Sequence, residues 1–371
     1  MSKKIETFDW LLLFVPILLI VSSVVLIYGL LAIRDDSSLA LRQAVFAIVG
    51  LCFMVVAYFV DYRFFKTTAW VFYAISIVLL VLIEFFGVVI NGSRNWFDLK
   101  FFNLQPSEIS KLFVLFALAG YFSDKIAKIT WKNIFVSVLI ILPPLALIIR
   151  EPDMGTAMVL LVMYFAVLFV SRPNRGQKLV IFLAILGTLA VGTLAYQKVG
   201  PFKLLLYDYQ RSRITVFLNP SSDPLGRGYN VKQSQITIGS GSIFGKGLGR
   251  GTQSQLRFLP EPQTDFIFAG AAESFGFVGI FFLIGLYGLM FFRILTVGEG
   301  SRDNFGMLIC FGIGIGLFFQ TVVNIGMNIG LLPVTGIPLP LFSYGGTSMA
   351  VTLFALGIIQ SVFIRHKKIS F

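Results

Sequence analysis

The strongest constraint on this chain is a succession of apolar runs, each about 17–28 residues long and most separated by short polar turns. Inside a bilayer every backbone N–H and C=O must be satisfied within its own segment, so runs of this length form helices. A transmembrane barrel would instead show short segments of alternating polarity. Only 13% of the residues are charged, where about one quarter is ordinary for a soluble domain, and Phe alone occurs 40 times. The expected fold is all-α: a polytopic bundle of about ten transmembrane helices.

The runs place helices at 10–33, 43–60, 67–90, 107–122, 133–149, 154–171, 178–198, 265–292, 303–328 and 346–364. Pro143-Pro144 is expected to kink the fifth. The first run follows Lys3-Lys4 but is long and lacks a small-residue cleavage site, so it reads as a span and not as a removed signal. With the N-terminus in the cytoplasm, one side collects fifteen basic residues in or near short loops, including Arg63, Lys125, Arg175, Arg293 and Arg365. The opposite short loops hold five: Arg34, Arg42, Arg94, Lys100 and Arg150. Both termini are therefore expected in the cytoplasm, and residues 199–264 form a large extracytoplasmic loop between helices 7 and 8. That loop, broken by Asn219-Pro220 and Asp223-Pro224 and with one helix-like stretch near 207–218, reads as a platform on a single domain spanning 1–371. No internal repeat is visible, so an inverted-repeat transporter is not supported.

The net charge of +12 first suggests an anionic partner, but its distribution is that of a membrane protein, and no nucleic-acid partner is expected. Cys52 and Cys310 stand alone in apolar runs and read as small core residues. His366 lies in a basic terminal run, which leaves no His-based triad or metal site.

Chemistry then falls to a few charges at the outer ends of spans. Asp265 stands where the long loop meets the eighth run, and an ionisable group there is a functional candidate by default. Glu108 and Lys111 are three apart on one helical face and can neutralise each other, either as a packing pair or as the wall of a polar cavity. Asp153, in the turn Arg150-Glu151-Pro152-Asp153, reads as an N-cap, and Arg150 beside it adds a phosphate donor. Arg94 sits at the same face with Trp96. Gly239–Gly247 lacks the spacing and the Ser/Thr of a nucleotide loop, so its glycines are expected to let the backbone pack tightly on the bundle. The uncharged, Pro- and Gly-rich stretch 324–346 sits where helix should continue, and reads as a re-entrant plug.

Several strings resemble the SEDS family (shape, elongation, division, sporulation): Tyr209-Gln-Arg211-Ser-Arg213-Ile, Gln105-Pro-Ser-Glu108-Ile-Ser-Lys111, Glu151-Pro-Asp153-Met-Gly-Thr, Thr264-Asp265-Phe-Ile-Phe and Leu332-Pro-Val-Thr-Gly-Ile-Pro-Leu-Pro-Leu-Phe-Ser343-Tyr. The likeness runs through essentially the whole chain in order. Val334-Thr335-Gly336 is similar to the elongation branch, where division and sporulation members carry Thr-Lys-Gly. Pro262-Gln263 departs from the family's small residue and His, so no proton-transfer role is assigned at 263.

The resemblance implies a peptidoglycan glycosyltransferase in the bacterial cytoplasmic membrane. It would polymerise lipid II, a disaccharide-pentapeptide on undecaprenyl pyrophosphate, beside a class B penicillin-binding protein and other elongation-machinery membrane proteins. Its essential carboxylate falls on Asp265 and its intramembrane ion pair on Glu108 and Lys111. Such chemistry needs a base for a sugar hydroxyl and cations for a departing pyrophosphate. Lys111, Arg94, Arg150, Arg211 and Arg213 are candidates for the second task, with Asp153 and Ser343 as further substrate-binding candidates. A divalent cation such as Mg2+ is compatible with this, although no ligand cluster specifies one. A lipid II flippase and a non-catalytic scaffold are the competing readings; a flippase wants polar groups spread through the bilayer depth, whereas these cluster at one face.

Overall fold

The structure, a computed structural model, describes residues 8–31, 38–90, 93–100, 102–199, 208–224, 226–256 and 258–366. Of the basic residues used for orientation, Lys3, Lys4, Arg34, Lys367 and Lys368 lie outside the described residues, as do Lys203 and Arg257 of the long loop.

Among the described residues, ten helices of 17 residues or more coincide with the ten apolar runs. They are α1 (Leu11–Leu31), α2 (Ser38–Phe59), α4 (Ala69–Phe86), α5 (Pro106–Ser123) and α6 (Trp131–Arg150). After these come α7 (Met154–Val170), α8 (Arg175–Tyr196), α12 (Ile267–Glu299), α13 (Asn304–Asn328) and α14 (Gly346–His366). Seven of them are long and apolar enough to cross a membrane: α1, α2, α4, α6, α12, α13 and α14. The molecule is a mostly helical, multi-pass membrane protein. α5 owes its lower hydropathy in part to buried Glu108 and Lys111, and α7 is shorter at 17 residues.

α5 and α13 form the centre, buried along nearly their whole length. α5 packs against α4, α6 and α7; α13 packs against α7, α12 and α5; and α14 lies along α2. Helices on the rim present apolar faces outward, as on α2, where Leu41, Ile48, Val55 and Phe59 are exposed. Cys310 is buried, whereas Cys52 corrects its expectation by lying on that exposed face of α2. A small residue in an apolar helix suits lipid contact as well as core.

Other departures trace to local chemistry. The third run ends at Phe86, four residues early, because Gly87 adopts extended backbone and Val88–Ile90 (β1) pairs with Ser93–Asp98 (β2) in an antiparallel hairpin. Consecutive β-branched residues after a glycine favour that outcome over another helical turn. β2 also pairs with Asn103–Leu104 (β3). α6 continues through Pro143 and Pro144. The expected helix near 207–218 is α9 (Asp208–Leu218), and the long stretch adds two helices the pattern did not signal, α10 (Arg227–Ser240) and α11 (Thr252–Gln255). Between Asp61 and α4 lies a further one-turn helix, α3 (Tyr62–Thr67), capped by Asp61.

The glycine-rich stretch lies tightly on α12. That helix breaks at Gly276 (φ 67°), and a Cβ there would come within 2.2 Å of the Gly245 nitrogen. The close approach lets Lys246 and Gly247 donate backbone bonds to the carbonyls of Glu273 and Ser274. The Glu273 side chain, fully buried, accepts from Gln253 N, Ser254 N, Ser254 Oγ and Lys246 Nζ. One carboxylate thereby fastens Lys246, Gln253 and Ser254 to the bundle.

Candidate functional site

Asp265 ends the turn that precedes α12, and its backbone is held from two sides. From α13, Asn324 and Asn328 donate side-chain amides to the Asp265 carbonyl at 3.3 and 3.0 Å. Asn328 also accepts from Ala269 N in the first turn of α12. From the re-entrant stretch, Ser343 Oγ donates to the Thr264 carbonyl at 2.8 Å while accepting from Leu339 N, and Tyr344 N donates to the Gln263 carbonyl. The plug reading holds in its packing: Ile337, Leu339, Leu341 and Phe342 are buried, and Asn324 also supports the Ile337 carbonyl. Ser343 itself therefore braces the loop, with its one proton committed to Thr264.

The Asp265 side chain is half-buried and takes no hydrogen bond among the described residues. Desolvation holds its pKa above the usual carboxylate range, against the pull of Arg213, and Glu261 adds to the rise. Gly336 (φ 77°) faces it: a Cβ there would stand 3.9 Å from Asp265 Oδ2, so the backbone passes beside the carboxyl with no side chain between.

Arg213 is the cation that belongs to this carboxyl. α9 carries it inward, where Nη1 donates to the Thr335 carbonyl at 2.8 Å and the guanidinium lies 5.9 Å from the Tyr209 ring centroid. Its charge is felt by both Asp265 and Asp153. Asp153 caps α7 through Thr156 N, as expected, and its second oxygen accepts from Gln105 Nε2 and Ser107 Oγ at 2.8 and 2.9 Å. The start of α5 and the start of α7 are thus tied together beside Arg213.

The remaining candidates separate into three groups. Arg150 pairs with Glu84 at 3.2 Å and Arg94 donates to the Glu84 backbone carbonyl, so both gather at the end of α4. Arg211 faces Asp208 one turn back on its own helix, at 3.5 Å. Glu108 and Lys111 pair at 2.6 Å, with residue exposures of 3% and 6%, inside the bundle. Gln320 and Thr352 share their cavity of about 40 Å3, which has room for water but not for a sugar or a pyrophosphate.

Between the Arg213 and Glu84 groups lies Glu151, almost fully buried, with neither carboxyl oxygen hydrogen-bonded among the described residues. Burial, with Asp153 and Glu84 nearby, pushes its pKa up to about 9, so it stays neutral at pH 7. Sequence reasoning missed the supporting roles of Asn324, Asn328, Gln105 and Thr335. Asn324 and Asn328, four apart on one face of an apolar helix, were the available signal. Among the described residues no three carboxylate, imidazole or thiolate groups converge at metal-binding range. Among the described residues, Arg213 is the cation whose charge acts on Asp265.

Comparison with known proteins agrees over the whole length. A family model described as cell cycle protein, covering FtsW, RodA and SpoVE, matches residues 5–368. The peptidoglycan glycosyltransferase MrdB of Escherichia coli (strain K12) is 37% identical over 359 residues, covering 96% of this chain and 95% of that one. A chain from a structure described as "structural coordination of polymerization and crosslinking by a peptidoglycan synthase complex" superposes with a TM-score of 0.81 at 33% identity, covering 97% of this chain and 98% of that one. The crystal structure of the Thermus thermophilus rod shape determining protein RodA superposes with a TM-score of 0.70 at 30% identity, covering 96% of each chain.

Proposed function

Because the chain belongs to the cell cycle protein family of FtsW, RodA and SpoVE, we propose that it is a peptidoglycan glycosyltransferase that polymerises lipid II on the outer face of the cytoplasmic membrane. It serves cell elongation and rod shape beside a class B penicillin-binding protein; a structural relative described as a peptidoglycan synthase complex supports that pairing.

One observation carries the chemistry: a half-buried carboxyl, raised in proton affinity, is clamped through its backbone and faces a single inward-turned guanidinium. In the reaction an acceptor sugar hydroxyl attacks the anomeric carbon of the donor sugar. The anomeric carbon–oxygen bond to undecaprenyl pyrophosphate breaks, and the hydroxyl proton ends on Asp265. A base near the operating pH is the efficient one, and a desolvated carboxylate approaches it. Arg213 stands where negative charge collects, with Arg94 and Arg150 further along the same polar strip to receive the pyrophosphate. A divalent cation would supply further charge compensation at the pyrophosphate when bound. Asp153 and Glu151 flank the path as one fixed carboxylate and one neutral acid, which limits repulsion of the phosphates.

The test is polymerisation of labelled lipid II by purified protein with Asp265→Asn. Asn keeps the shape and loses the basicity, so glycan synthesis should fall about 10²–10⁴-fold while the protein stays folded and still binds its penicillin-binding partner. Near-normal polymerisation by the folded variant sinks the base assignment.

A further inference from the structure

One cavity takes no part in the chemistry above. It is a half-open apolar groove of about 360 Å3, walled by Ser22 from the middle of α1 and by Ser274, Phe275 and Leu283 from α12 around its break. Phe342 of the re-entrant stretch also lines it, as does Phe244, 80% exposed in the glycine-rich stretch. Among the described residues, two serines are the only polar side chains that line it.

We propose that this groove seats part of the undecaprenyl chain of a lipid II molecule held at the Asp265 site, an inference that rests on the polymerase reading. Size selects the occupant. A dry cavity of about 150 Å3 takes one benzene, so this groove takes about two five-carbon isoprenoid units in file. A branched polyprenyl segment of that length fits the groove.

Placement connects the groove to the reacting atoms. The Phe342 carbonyl accepts from Ser23 Oγ at 2.6 Å, which pins the groove wall to α1. The next residue, Ser343, donates to the Thr264 carbonyl one position before Asp265. Gln43 donates both to Ser23 Oγ and to the Ser343 carbonyl, closing a buried polar brace. The apolar wall and the catalytic carboxyl are therefore carried on adjoining residues of one rigid segment. Leu341 adopts φ 63° within that segment while 2% exposed, a conformation that persists only where the surroundings impose it. Chain binding at Phe342 and headgroup binding at Asp265 then share one support.

The experiment uses full-length protein in nanodiscs and lipid II whose undecaprenyl chain carries a photoreactive diazirine. The label should appear on peptides spanning residues 11–31 and 274–286. Ser22→Phe, which fills the groove, should reduce that labelling and raise KM for lipid II about tenfold with kcat held, the order that a shape change in an apolar pocket produces. Val278→Trp at the rim is the second variant should Ser22→Phe not fold. Val21→Phe, one residue away and 53% exposed, should change neither readout. Labelling confined to other helices overturns the inference. So does displacement by phosphatidylglycerol as effective as by undecaprenyl phosphate, which would make this an ordinary acyl-chain site, and so does loss of labelling when the penicillin-binding partner is added. A protein that polymerises lipid II with an unlabelled groove defeats this inference alone; a labelled groove without glycan synthesis defeats the polymerase reading alone.

Discussion

Removing one member of the Glu108–Lys111 pair should be far more damaging than removing both. The charges are 2.6 Å apart, and their side chains are 4% and 7% exposed. Glu108→Leu leaves an ammonium inside the bundle, in a cavity it shares with the polar side chains of Gln320 and Thr352. Breaking a buried pair this way costs about 3–5 kcal/mol, because the surviving charge keeps its desolvation penalty and loses its compensation. Lys111→Met strands the carboxylate at a similar cost. The double variant has no charge left to strand and fills a cavity that now holds only water-sized space. Its residual loss should be about 1–3 kcal/mol, from polar groups left with apolar neighbours. The cycle therefore predicts a coupling energy of about 3 kcal/mol or more, at the upper end of measured pairs. Unfolding in mixed micelles, with the four proteins compared in one detergent series, measures it. Single variants that each lose under about 1 kcal/mol, or a double variant as unstable as their sum, would refute the reasoning. Polymerisation then separates roles: recovery along with stability assigns the pair to the start of α5, where Gln105 and Ser107 hold Asp153. A folded, silent double variant would place the pair on the substrate.

Three further outcomes follow from the same physics. Because desolvation raises the Asp265 pKa, the folded state disfavours its charge, so stability falls as pH rises from the unfolded value of about 3.9 through the folded one. Asp265→Asn should therefore be more stable than the parent at neutral pH and equal to it in acid; a destabilised Asn variant would count against the desolvated carboxyl. Glu151, with a pKa of about 9, binds a proton in the folded state that the unfolded chain releases near pH ~4.3, so stability should decline with pH across that window. Glu151→Gln should flatten the decline, as read by melting temperature between pH 5 and 9, and an unchanged slope would show that another group titrates. Glu273→Leu strips the acceptor from two backbone amides, a hydroxyl and Lys246 at once, and should lose about 3–5 kcal/mol and expose the 240–255 stretch to protease, whereas Lys246→Met should be milder.

Much of this protein was determined by the sequence alone, because a bilayer leaves the chain few options. A run of some 20 apolar residues has to be helical whatever surrounds it, so the ten helices lay where hydropathy put them, and Asp153 as a cap or Glu108 with Lys111 as a pair needed only helical spacing. The motif strings carried the family for the same reason: they are local. What hydropathy could not express was anything set by residues far apart in the chain. α10 and α11 have no apolar run of their own and take their places from α12, against which Glu273 and the Gly276 break hold them. Arg211 and Arg213 were equivalent in the sequence, two residues apart on one helix; only packing turned Arg213 toward Thr335 and Asp265 and left Arg211 with Asp208. Nothing local in the sequence signals the bond from Ser343 to Thr264, which spans 79 residues and braces the loop before Asp265. Glu151 was one more acid in a turn until burial without a partner made it neutral. Burial and long-range contact decide which charges are available for chemistry, and both are properties of the assembled bundle, not of any segment within it.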